Sequence, residues 1–331
     1  MTPESPSLVV QTAFLGDVIL TTGLLEAVAE RHGPVDVLVT PAALALVDTH
    51  PAVREALVFD KRGRDRGFGG LRRMAAQLRR RGYARCFLAQ RSLRSAVLAR
   101  MAGIPERIGF ADAGGRWLYT RRVVRRTALH EAERLLALVD PTPGRAARIQ
   151  LGLTADDRAA AYAWLAEQGV GDGFVAMAPG SIWGTKRWDG YPALARLIKE
   201  PIVVVGGPGD LEAAQAVVDA APDRVVSAAG RVSLRVAAAL LERAGVLVTN
   251  DSAPLHMATA VGTPVVAIFG PTVPAFGFGP RGPRSALVER TGLECRPCSP
   301  HGPERCPLGH HRCMREIPAS AVLEALEALT R

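Results

Sequence analysis

Seven short, nearly unbroken apolar runs, at residues 8–10, 35–39, 86–89, 174–178, 202–205, 246–249 and 265–269, limit most tightly what this chain can become. A strand with one wet face alternates apolar and polar residues. A run apolar at almost every position must be covered on both faces, as strands of a parallel sheet are. Between the runs, stretches with helical spacing recur at 18–29, 71–78, 156–165, 211–220 and 234–242, and another closes the chain at 319–329. That alternation predicts a doubly wound α/β architecture. The series restarts near Phe174 after a charged helical stretch at 154–169. Two Rossmann-like domains are therefore expected, one over 1–160 and one over 161–331, the second carrying a cysteine-rich segment at 295–313 and the final helix. The length of 331 residues agrees, because single cores rarely grow past roughly 250–300 residues. In such folds ligands bind where the carboxyl ends of strands meet a crevice.

Several classes are excluded. With 48% hydrophobic and 22% charged residues the chain is globular. Residues 1–6 carry no basic leader region, so no secretory signal is expected. Residues 252–280 hold no Asp, Glu, Lys or Arg, but Pro254, Pro264, Pro271, Pro274 and Pro280 rule out one spanning helix. The segment reads as buried strand and turn. The formal net charge of +9 is unevenly placed. Residues 1–150 hold 24 basic and 14 acidic side chains, a net of +10, whereas residues 151–331 hold 17 and 18, a net of −1. An anionic partner therefore belongs with the first domain. Of the 41 basic residues only Lys61, Lys186 and Lys199 are lysines.

Chemistry-bearing residues collect after the apolar runs. The first run leads through Phe14-Leu15-Gly16-Asp17-Val18, where Gly16 allows a tight turn and Asp17 enters the next helix; taken alone, Asp17 is a cap or a carboxylate complementing the helix dipole. In the second half Pro179-Gly180-Ser181 is followed by Lys186-Arg187-Trp188. Small residues whose N–H groups can approach an anion, followed by a lysine, suit a phosphate site. The spacing of Gly180, Gly184 and Lys186 is not that of a Walker loop, and Gly207-Pro208-Gly209 lacks the third glycine of a dinucleotide fingerprint. Asp210 can cap a helix or accept from a ribose. In Thr249-Asn250-Asp251-Ser252-Ala253-Pro254-Leu255-His256 a buried strand runs into capping residues and a proline suited to a first helical turn. The free N–H groups there form an anion site, with Ser252 and His256 on one face. Cys295, Cys298, Cys306 and Cys313 can close a structural zinc site, pack as reduced thiols, or include a redox-labile pair. Among the arginines, Arg91, Arg94, Arg121 and Arg122 lie near strand ends and are candidates for a phosphorylated ligand.

Taken in order, these segments, with Phe269-Gly270-Pro271-Thr272-Val273-Pro274 and Cys306-Pro307-Leu308-Gly309-His310-His311, resemble glycosyltransferase family 9, the lipopolysaccharide heptosyltransferases, and within it the heptosyltransferase II type. The resemblance spans nearly the whole chain. It implies a GT-B fold, two Rossmann-like domains facing across a cleft, and inverting transfer of heptose from ADP-heptose to the lipopolysaccharide inner core without a catalytic metal or cofactor. It makes Asp17 the general base. Pro179, Gly180, Ser181, Lys186, Asp210, Asp251, Ser252, Ala253 and His256 become donor contacts, and Gly16, Arg91, Arg94, Arg121 and Arg122 acceptor contacts. The expected acceptor is a phosphorylated Kdo-lipid A core, met by a cytoplasmic protein held peripherally at the inner face of the inner membrane. A GT-B transferase or epimerase using another nucleotide-sugar is the nearest alternative. A basic, zinc-containing nucleic-acid-binding protein is the alternative of another class, disfavoured because the basic segments lack interleaved aromatics for base stacking.

Overall fold

The computed structural model describes residues 6–141, 147–281 and 284–330. Of the leader region considered above, residues 1–5 lie outside the described residues. Among the described residues, the first unit holds β1 (Ser7–Val10), β2 (Val35–Val39), β3 (Val53–Val58), β4 (Arg85–Leu88), β5 (Glu106–Phe110) and β6 (Arg121–Val123). They pair in parallel in the order β3-β2-β1-β4-β5-β6. Helices α1 (Leu15–His32), α2 (Gly67–Arg80) and α3 (Leu93–Met101) lie between them, and α4 (Glu131–Leu136) follows β6. The second unit holds α5 (Ala155–Glu167), then β7 (Val175–Ala178), β8 (Ile202–Val204), β9 (Val225–Ser227), β10 (Val246–Asn250), β11 (Val265–Phe269) and β12 (Ser285–Glu289). Its remaining helices are α6 (Tyr191–Leu197), α7 (Leu211–Ala220), α8 (Leu234–Arg243), α9 (Ala253–Val261), α10 (Arg312–Arg315) and α11 (Ala319–Thr330). This sheet too is wholly parallel, ordered β12-β11-β10-β7-β8-β9.

Numbered from its own first strand, each sheet has the order 3-2-1-4-5-6 of a doubly wound fold. In such a sheet the chain runs outward one way, returns to the middle and runs outward the other way. The loops leaving the two central strands part there, and in these units that place lies between β1 and β4 and between β7 and β10. The cores explain why the central strands are apolar on both faces. In the second unit Val175, Met177, Val246, Val248, Val266 and Ile268 pack in one cluster with Leu194, Val217, Val322 and Leu326. Their alternate neighbours Ala176, Leu247 and Ala267 are buried as well.

The chain divides at Gly152/Leu153, ahead of the 160/161 boundary expected from sequence. Helix α5 belongs with the second unit because Arg158 pairs with Glu242 of α8 at 2.7 Å and Asp157 with Arg235 of α8 at 3.0 Å. It is started by a reciprocal cap in which Thr154 Oγ1 accepts from the Asp157 N–H and Asp157 accepts from the Thr154 N–H. The charge-free segment 252–280 is only partly strand and turn: it opens with the nine-residue helix α9, stopped by Gly262 at φ 84°.

Candidate active site

In the second unit, the turns that leave β7 and β10 lie side by side, since Thr249 is paired with Ala178. Buried Asn250 joins them. Its Nδ2 donates to the Pro179 carbonyl at 2.8 Å, while its Oδ1 accepts from the Trp188 N–H at 3.3 Å. The Pro179-Gly180-Ser181 turn, the Lys186–Trp188 strand of chain and the head of α9 are thus held by one side chain. Lys186 is 8% exposed and Asp251 7%. The Lys186 ammonium donates to Asp251 Oδ2 at 2.5 Å, and the Thr272 hydroxyl donates to the same oxygen at 2.6 Å. A buried ion pair stands up to its desolvation only when further hydrogen bonds complete it, and Thr272 supplies one. An ammonium has three donor hydrogens, so two remain for a ligand.

Ser252 starts α9 without turning its hydroxyl onto the helix, and Pro254 follows in the first turn. The leading N–H groups of that helix therefore keep the anion-binding character of a helix start. His256 lies one turn on, its ring 6.4 Å from that of Phe278. Burial pushes the His256 pKa down to about 4, with Asp251 opposing and the Lys186 cation reinforcing the shift. The ring is neutral at pH 7 and offers a hydrogen bond and a surface, not a charge. Asp210 comes from the turn after β8, where its Oδ2 accepts from the Gly207 N–H at 2.8 Å. Its carboxylate stands over Gly180, where a β-carbon would fall 2.0 Å from Oδ1. Only glycine permits that approach. All nine residues expected to contact a donor therefore lie at one edge of one sheet.

The cysteine-rich segment braces this edge. The Thr185 N–H donates to Pro303 O at 3.3 Å, the Gly184 N–H to Glu304 at 3.3 Å, and His311 Nε2 meets Thr185 O at 2.8 Å. Gly302, at φ 76°, leaves room beside Pro271, Thr185 and Lys186 that a β-carbon would crowd. On the other side the Cys298 N–H donates to Pro271 O and Arg296 to Thr272 O, both at 2.9 Å. Cys295, Cys298, Cys306 and Cys313, read above as a zinc site, as packed thiols or as holding a redox-labile pair, lie near enough for their charges to act on one another. All four are free of disulfide bonds, burial and then the neighbouring thiols Cys298, Cys306 and Cys295 raise the Cys313 pKa to about 11, and the Cys298 thiol points at Cys295 O. Among the described residues no three His, Cys, Asp or Glu converge to hold a metal ion.

In the first unit, Asp17 occupies the first turn of α1 and its Oδ2 accepts from the Phe14 N–H at 3.2 Å. Gly16 is already the second residue of that helix, so it does not make the tight turn expected of it. Gln90, after β4, ties the neighbouring turn down by donating to Thr12 Oγ1 at 2.7 Å and to Ser95. Lys61 donates to Thr12 O, and burial, then the cations Arg62 and Arg94, lower its pKa. Of the arginines singled out above, Arg91 is exposed and pairs with Asp112 at 3.1 Å. Arg94 is a strut, stacked 5.0 Å over Phe59 and donating to Asp65 O at 2.9 Å. Arg121 and Arg122 sit on edge strand β6, two strands from β4, where Arg121 donates to Leu138 O and Arg122 to Arg116 O. They are not brought to Asp17. Sequence reasoning missed Asn250, Thr272 and Lys61 as site-building groups; only the scarcity of lysine marked Lys61 out.

The family profile described as "Glycosyltransferase family 9 (heptosyltransferase)" matches residues 71–308. The lipopolysaccharide heptosyltransferase 2 of Salmonella typhimurium is 27% identical over 97% of both chains. Among solved structures, a glycosyl transferase family 9 protein from Veillonella parvula superposes with a TM-score of 0.87 at 24% identity, covering 100% of this chain and 98% of that one. The Escherichia coli ADP-heptose lps heptosyltransferase II superposes at 0.80 with 25% identity over 98% of each. The two parallel sheets with flanking helices are those of GT-B glycosyltransferases.

Proposed function

The chain belongs to glycosyltransferase family 9, and on that footing we propose that it moves a heptose from ADP-heptose to the lipopolysaccharide inner core with inversion at the anomeric carbon. The observation that carries this reading is the buried Lys186–Asp251–Thr272 group at the head of α9, where lysine donors stand beside the N–H groups of a helix start and suit an anionic leaving group. The acceptor hydroxyl attacks the anomeric carbon opposite the departing ADP. As the new C–O bond forms and the bond to the diphosphate breaks, the hydroxyl proton passes to Asp17. Charge growing on the leaving diphosphate is met by Lys186, Ser252, and the N–H groups at Ala253 and around Pro179-Gly180-Ser181. Asp210, over Gly180, receives the nucleoside, and neutral His256 closes the site beside the phosphates.

Family membership displaces the nucleic-acid alternative. Arg91, beyond the end of β4, which pairs with β1, and Arg122 along the same rim are proposed to meet phosphates of a Kdo-lipid A core, in keeping with the basic first half of the chain. Among the described residues no helix is long and apolar enough to cross a membrane, and the reading places the protein peripherally at the inner face of the inner membrane. Product analysis tests the proposal: ADP-heptose with heptose-deficient core acceptor should give a core one heptose heavier, with transfer persisting in excess chelator. Transfer from a different nucleotide-sugar only, or loss in chelator restored by Mg²⁺, would overturn it.

A further inference from the structure

Every strand of the first sheet is parallel, so the loops after β3, β4, β5 and β6 leave from a single edge. On that edge large apolar side chains stand in water: Phe68 is 65% exposed, Leu93 46%, Trp117 60% and Val124 74%. Contacts between the loops make them one rim. Arg94, next to Leu93, donates to the Asp65 carbonyl at 2.9 Å and to that of Gly67, the neighbour of Phe68, at 3.4 Å. The loop that carries Trp117 lies on Leu93, since a β-carbon on Gly115 would fall 3.3 Å from Leu93 Cα. Arg122 then ties that loop to β6, just before Val124, by donating to Arg116 O at 3.1 Å.

Exposed arginines are interleaved with these side chains: Arg66 two residues from Phe68, Arg116 beside Trp117, and Arg126 two residues from Val124. The charge is of one sign. Residues 121–126 hold four arginines and no acid, and the nearby carboxylates are occupied, Asp65 by Arg64 and Arg73 and Asp112 by Arg91. A protein partner would meet a charge-depleted apolar centre. Apolar side chains alternating with cations instead suit a layer whose phosphates lie above its acyl chains.

We propose that this rim seats on an anionic lipid bilayer, Phe68, Leu93, Trp117 and Val124 entering the headgroup layer while Arg66, Arg116 and Arg126 contact lipid phosphates. The inference rests on the reading above, which sets the protein at a membrane surface, and deepens it by naming the side chains that make the contact. The test is flotation of the full-length protein with vesicles of phosphatidylglycerol and phosphatidylethanolamine, against vesicles of phosphatidylcholine alone. The protein should float with the anionic vesicles and release in high salt. Phe68→Ser with Trp117→Ser should weaken partition about tenfold or more, and Arg66→Gln or Arg126→Gln about fivefold each. The aromatic double variant should keep wild-type ADP affinity, which also shows that it is folded, and wild-type transfer to a delipidated, water-soluble core acceptor. Absence of flotation, flotation untouched by the variants, or equal loss of transfer to the soluble acceptor would overturn the proposal. Protein that floats but transfers heptose to no acceptor refutes the functional reading and leaves the lipid surface standing.

Discussion

Asp251 Oδ2 receives two hydrogen bonds at once, from a lysine ammonium and a threonine hydroxyl, and this shows how little freedom the charged residues of the site retain. Asp17 is less enclosed, so its removal should be felt in chemistry and not in folding. Asp17→Ala is expected to lower kcat by roughly 10²–10⁴ with ADP affinity unchanged by calorimetry; wild-type turnover would remove Asp17 from the mechanism. The histidines make a separate prediction. Burial lowers the pKa of both His256 and His50 from 6.5 to about 4, so between those values the unfolded chain takes up protons that the folded protein refuses. Stability is therefore complete above about pH 6.5 and lost as pH falls towards 4, by up to about 1.4 kcal/mol per pH unit per histidine. Urea titrations at pH 7, 5.5 and 4.5 should show that slope, and His50→Gln should flatten it. An equally steep curve in the variant would mean that His50 titrates as an ordinary imidazole.

The segment from Cys295 to Cys313 acts as a brace whose hydrogen bonds come from its backbone and from the Arg296, Glu304 and His311 side chains, not its thiols. Gly302→Ala places a β-carbon against Thr185 and Lys186 at a positive φ, which L-residues adopt at a cost of about 1–2 kcal/mol. ADP affinity should fall about tenfold in that variant, whereas Cys295→Ser should stay within about twofold, and metal analysis of the purified protein should find no stoichiometric zinc. Zinc at one per chain would restore the metal reading. The elements also explain what the sequence could show. All seven apolar runs mark central or near-central strands, covered on both faces. The strands that escaped notice include β3, β6, β9 and β12, the four sheet edges, where a face or an end meets water and charged residues such as Arg54, Glu55, Arg121 and Glu289 interrupt the run. Strand β5 escaped for a related reason, since Glu106 and Arg107 open it and only its last three residues are buried. Lys186 and Asp251 were legible because polar residues that follow a buried run must leave at a strand's carboxyl end. Thr272 and the strut role of Arg94 were not, because each acts on a group 21 to 35 residues away.

Both halves of the molecule repeat one strand order, and residues 153–331 contain a whole sheet, its core and every residue proposed to hold the donor. A chain of those residues alone is expected to fold and to bind ADP within about threefold of the full-length affinity, read by calorimetry; a chain that melts without cooperativity would show that the division at Gly152/Leu153 does not separate independent units. The strand order also governs how the protein is made. In each sheet the first strand to emerge belongs in the middle and must wait for its second neighbour: Ser7 pairs with Arg85, 78 residues later (85 − 7), and Val175 with Val246, 71 residues later (246 − 175). At about 5–20 residues per second that wait is roughly 4–16 s for β1, during which an apolar strand edge stays open to other chains. Translation tempo thus bears unequally on the message. A pause after β1 has emerged and before β4 has prolongs the hazard, whereas one after β6 has emerged and before β7 has falls between a sheet already closed and another not yet begun.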